Sequence, residues 1–115
     1  MMEVQPTVIQ MIELTKGEVR NLAGHERGLA AREKFKLKDL DRSDASVPVI
    51  FPADFRQVSS SFFQGMFAES VQKLGSLARF MDHYRFDAPS HIRAKIVDYA
   101  DQIITRSQAR SSGEN

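Results

Sequence analysis

Apolar residues recur along this chain with two periods, and the change from one to the other marks its elements. Val47, Val49, Ile50 and Phe51 make a short β-branched run that predicts a strand covered on both faces. Further on, Phe63, Met66, Phe67, Ser70, Val71 and Leu74 follow one another at three- and four-residue steps, the period of an α-helix with one face in a core. Ser61 with Gln64 has the spacing of a capping box, and Gly75 stands where a helix C-terminus favours positive φ. The serine run Ser59, Ser60, Ser61 lies between strand and helix, and the rest of the chain is arranged around this unit.

Taken in order, residues 8–14 mix alternation with β-branched side chains and predict a short edge strand. Lys16, Gly17 and Glu18 read as a turn, and residues 19–24 as a second short strand or a loop. Residues 25–40 are rich in Ala, Leu, Lys, Arg and Glu and predict one moderately amphipathic helix, with Gly28 as its weak point. A polar connection over residues 41–46 leads to the central strand. Pro52, Ala53 and Asp54 make a turn, after which Phe55 and Val58 return to the core. Leu77, Phe80, Met81 and Tyr84 assign residues 77–84 to a third strand. Asp87 is an N-cap candidate before Pro89, and Ile92, Ile96, Tyr99, Ala100, Ile103 and Ile104 give the clearest amphipathic face. Residues 107–115 lack apolar anchors and read as a flexible polar tail. The expected fold class is α/β: one domain over residues 1–106, with a small, mostly parallel sheet of three to four strands and helices in alternating β-α-β-α-β-α order.

Composition narrows the partners. Sixteen basic and fifteen acidic residues among 115 leave a formal charge of +1, which gives no electrostatic reason to expect nucleic acid or an anionic membrane. The absence of cysteine excludes disulfides and thiolate metal sites. No run of eighteen apolar residues occurs and no leader precedes the first strand, so a soluble cytoplasmic protein is expected.

Candidate chemistry is sparse. His25, His83 and His91 have no ligand-like spacing, and neither a Gly-x-Ser-x-Gly elbow, a P-loop nor a glycine-rich dinucleotide turn is present. A non-catalytic protein without metal or cofactor is the expectation. Ser59, Ser60 and Ser61 exceed what one helix cap requires, which makes them candidates for a partner-binding surface as well as a cap. Phe62 points about 100° away from Phe63 on a helix and is a candidate partner contact, alongside Asp54 and Gly65, whose missing side chain suggests a close approach. A hydrolase reading would use Ser60 or Ser61 as nucleophile. Arg27, Arg32, Lys34, Lys36 and Lys38 form a candidate basic surface, the basis of an alternative reading as a small nucleic-acid-associated protein, although alternate positions lie about 200° apart around a helix.

Several stretches together resemble a family. Gly28-Leu29-Ala30-Ala31-Arg32-Glu33 in the first helix, a strand ending near Phe51, Val58-Ser59-Ser60-Ser61-Phe62 before the second helix, and a closing helix from Ile92 to Arg106 are similar to the STAS-like family of unknown function, a relative of the anti-sigma-factor antagonist fold. Where that family tends to place acidic residues after the phenylalanine, this chain has Gln64 and Gly65. The resemblance implies a regulatory or adaptor domain that docks a protein partner, a kinase-like ATPase or an anti-sigma-type regulator. Phosphorylation of a serine at the start of the second helix would control that docking.

Overall fold

Alternation decides the central strand. In β3 (Val47–Ile50), Val47 and Val49 are buried while Pro48 and Ile50 are only half-buried, so the strand is covered fully on one face and not on both. The computed structural model describes residues 7–15 and 21–113. The turn expected at Lys16, Gly17 and Glu18 and the ends of the chain lie outside the described residues. On one side β3 pairs in parallel with β1 (Ile9–Gln10), Ile9 opposite Val49, and on the other with β5 (Tyr84–Asp87), Val47 opposite Tyr84 and Ile50 opposite Asp87. The order is β1-β3-β5, with β1 at an edge as expected. A second, two-stranded parallel sheet joins β2 (Asn21–Leu22) to β4 (Gln57–Val58), Leu22 opposite Val58. The molecule is thus α/β with a small parallel sheet.

Among the described residues, five α-helices complete it. Along α1 (His25–Lys34), α2 (Leu37–Leu40), α3 (Ser60–Leu74), α4 (Leu77–His83) and α5 (Ser90–Gly113), several bounds differ from the sequence expectation. The strand expected over residues 8–14 is reduced to β1, because Met11–Leu14 winds into a 3-10 turn that buries Met11. The single helix expected over residues 25–40 breaks at Lys36, whose φ of 56° and ψ of 47° are left-handed. That break turns the chain so that Leu37 is fully buried and Asp41, just after α2, enters the interior.

The third strand is misplaced in the sequence expectation. Leu77, Phe80, Met81 and Tyr84 are spaced by three and four, a helical period, and residues 77–83 are α4; only from Tyr84 does the chain extend into β5. Asp87 ends that strand and is not a cap. The Pro89 carbonyl accepts from the Ile92 and Arg93 N–H groups as α5 begins. The backbone of α5 continues to Gly113, through most of the segment expected as a polar tail, because Gln108, Ala109 and Arg110 propagate a helix already nucleated upstream.

Two layers of aromatic side chains hold the sheet to the helices. Phe67 of α3 meets Tyr84 and Phe86 of β5 at ring-centroid distances of 5.4 Å, and Phe80 of α4 meets the same pair at 5.7 Å. On α5, Ile92, Ile96, Ala100 and Ile103 are buried, as their spacing predicts. The middle helix α3 is enclosed on two sides, by α1 and by α5 with α4.

Candidate functional site

The serine run forms the first turn of α3 and the residue before it. The Ser59 N–H donates to the Leu22 carbonyl at 2.8 Å, continuing the β2–β4 pairing to the helix start. Its Oγ accepts from the Phe62 N–H at 3.1 Å. Ser59 is therefore the cap, two residues before the expected Ser61, and with Phe62 as the third helical residue the expected capping box with Gln64 does not form. Ser60 and Ser61 are exposed, and the Ser61 Oγ lies 3.1 Å from that of Ser59. At the other end Gly75 adopts a φ of 85° and its N–H bonds to the Val71 carbonyl, as expected of a C-terminal glycine.

Phe62 does not face a partner. It is 2 % exposed and packs inward, so Phe62 and Phe63 are both buried despite pointing in different directions. The reason is the double enclosure of α3: Phe63 stacks near Phe67, Phe80 and Tyr99, while the Phe62 carbonyl side is pressed against α1. Gly65 serves that same contact. A Cβ on Gly65 would lie 2.2 Å from the His25 carbonyl oxygen, and one on Gly28 would lie 2.2 Å from the Phe62 carbonyl oxygen, with the two Cα atoms facing each other. Glycine at both places lets the helix backbones touch. Gly65 is thus an internal contact and not a surface for a partner. Because β2 leads into α1 and β4 into α3, the paired parallel strands open both helix N-termini at the same end of the molecule. The dipoles of the ten-residue α1 and fifteen-residue α3 add there. Asp54 is exposed in the turn between β3 and β4, closed by the Phe55 N–H on the Pro52 carbonyl at 3.1 Å.

The basic set is divided. Arg27, Lys34, Lys36 and Lys38 are exposed, but Arg32 is buried against interior partners and reaches the surface only at its edge, 3.3 Å from Glu69. Lys34 lies 3.7 Å from Glu13, and Lys36 and Lys38 line a groove of about 550 Å³ together with Glu33, Asp39 and Glu69. Such alternation of sign weakens any phosphate footprint.

What the sequence reading missed is the interior role of Arg32. Its Nη1 donates to the Met66 carbonyl and to the Ser70 Oγ, both at 2.9 Å, and its Nη2 donates to Asp41 Oδ2 at 2.6 Å. Asp41 Oδ1 accepts from the Ser70 and Tyr84 hydroxyls, each at 2.6 Å. The Asp41 side chain is fully buried, and this saturation by three donors is what makes a buried carboxylate tolerable. Burial, with the hydrogen bond to and charge of Asp41 added, pushes the Tyr84 hydroxyl well above its ordinary 10.0. The tetrad ties α1, the end of α2, α3 and β5 together, and Arg32 also lies 3.3 Å from the exposed Glu69, where its edge borders the groove beside Lys36 and Lys38. Ser70 within an apolar stripe was the one sequence signal of it; nothing in the polar run around Asp41 marked that residue.

His83 and His91 bond through Nε2 to the Leu40 and Arg56 carbonyl oxygens at 2.8 and 3.1 Å. Among the described residues, no group of three or more His, Asp or Glu could hold a metal ion, and no helix is long and apolar enough to cross a membrane. No protein-family model, curated protein or solved structure matches this chain.

Proposed function

We propose that this protein is a non-catalytic regulatory module of STAS-like character, which docks a protein partner at the N-terminal end of α3 and is switched by phosphorylation of Ser60 or Ser61. The observation that carries the reading is the division of labour among the three serines. Ser59 alone caps the helix, and the two hydroxyls that follow are exposed on a turn made rigid by the β2–β4 pairing and the Gly28–Gly65 contact. A phosphate there adds about −1.5 to −2 charges. The adjoining N-termini of α1 and α3 favour such charge, so modification leaves the module folded while it changes the surface offered to a partner. The partner class, a kinase-like ATPase or anti-sigma-type regulator, follows from the resemblance of the serine turn and its flanking elements.

Affinity capture from the native host tests this with the wild type, a Ser60→Asp/Ser61→Asp variant and a Lys95→Glu control on exposed α5. The expected result is an ATPase or regulator retained by wild type and control and lost with the double aspartate, together with phosphate on residue 60 or 61 after incubation with that partner and ATP. Equal retention by all three proteins and no phosphate at either serine would refute the proposal.

A further inference from the structure

Among the described residues β5 has one neighbour, β3, and its other side is an open edge. One hydrogen bond fixes which groups face out. The Phe51 N–H donates to the Asp87 carbonyl at 2.9 Å, so the backbone groups of Asp87, and by alternation those of Arg85, face β3. Those of Phe86 point to the edge, as do the Tyr84 carbonyl and, one residue beyond the strand, the Ala88 N–H. The Tyr84 N–H is already bonded to the Phe80 carbonyl.

Side chains alternate too. Tyr84 and Phe86 are buried against the helices, whereas Arg85 and Asp87 are exposed on the opposite face of the sheet. Charge on an edge strand normally keeps copies of a protein apart. Here the two charges are of opposite sign and flank Phe86 symmetrically. From this we infer that β5 pairs antiparallel with β5 of a second copy of this chain, across a twofold axis at Phe86, joining two three-stranded sheets into one of six strands. In that register the two Phe86 residues exchange a pair of hydrogen bonds, and each Tyr84 carbonyl accepts from Ala88 of the other copy. Each Arg85 then lies directly opposite Asp87 of the other copy on the solvent face, an opposite-charge cross-strand pair formed twice.

Both charges are available. Arg85 has only a loose contact of 3.9 Å with Asp82, both side chains being mostly exposed, and the Asp87 carboxylate has no ion pair among the described residues. The edge also has room: a groove of about 400 Å³ runs beside it, lined by Ala78, Met81 and Asp82 of α4, Arg85 and Phe86 of β5, and Arg93 of α5. Asp82 precedes β5 and Arg93 follows it, so the same twofold turns the acidic end of one groove toward the basic end of the other.

Sedimentation equilibrium on the full chain tests the pairing with wild type, Arg85→Asp, Asp87→Arg and the double reversal; circular dichroism verifies that these exposed substitutions leave the fold intact. Wild type is expected to dimerise reversibly. Each single reversal sets two like-charged pairs across the axis and weakens the dimer by roughly tenfold or more. The double reversal re-forms both pairs with exchanged polarity and recovers wild-type association. A wild type that stays monomeric, a dimer indifferent to the single reversals, or a double variant that fails to recover would each overturn the inference.

Discussion

Ser59, Ser60 and Ser61 are chemically alike, yet the structure gives them different tasks. Ser59 satisfies a backbone donor that would otherwise be orphaned at the start of α3. Ser59→Ala should therefore lower stability by about 1 kcal/mol, whereas Ser60→Ala and Ser61→Ala should change it by only a few tenths. Urea unfolding of the three variants measures the difference; a similar loss at Ser60 or Ser61 would show that those hydroxyls are structural after all. The sequence marked this run as a helix start but pointed to Ser61, through its capping-box spacing with Gln64, whereas Ser59 is the cap. The outcome was set by β4, whose pairing with β2 extends to the Ser59 N–H and so holds Ser59 in the extended conformation that a cap requires.

At the scale of elements, the contact between α1 and α3 rests on two glycines. Gly65→Ala forces a methyl into the His25 carbonyl, which belongs to a backbone and cannot rotate away, so the helices must separate. A loss of about 2 kcal/mol or more is expected despite the better helix propensity of alanine, and thermal or urea denaturation will register it. This contact was half legible: Gly28 read as a flaw in one helix and Gly65 as a sign of close approach in another, but nothing in a linear chain said that each was the other's partner. The helical faces of α3 and α5 were legible because their periods run over many residues. The segment from Leu77 to Tyr84 is helical and not the expected strand, because only seven helical residues run directly into β5, too short a stretch for its period to stand out. Boundaries of this kind are decided by what the aromatic side chains meet in three dimensions, here Phe67 and the sheet.

For the molecule as a whole, the buried tetrad links stability to pH. The folded state keeps Tyr84 neutral at pH values where an unfolded tyrosine has ionised, so above pH 10.0 the native chain holds a proton that the unfolded chain has lost. Stability is expected to fall as pH rises past that point, by up to about 1.4 kcal/mol per pH unit. Tyr84→Phe should flatten the fall and also weaken the protein at neutral pH, because Asp41 loses one of its three donors. Urea midpoints from about pH 8 to pH 11 for both proteins test the sign, and an identical alkaline slope would contradict it. Part of the remaining slope belongs to Tyr99, which is raised by burial and by Asp98 while its hydroxyl donates to the Val58 carbonyl.

The same arrangement dictates when the chain can fold as it is made. A nascent chain leaving the ribosome exposes β1 long before its ladder partner β3, and Arg32 and Asp41 long before Ser70 and Tyr84 can join them. Arg32 and Asp41 can pair early, but no early segment owns a finished core, so acquisition of native structure waits for β5 and for the buried face of α5. A stall in translation before those elements leaves an open intermediate with apolar surface still uncovered.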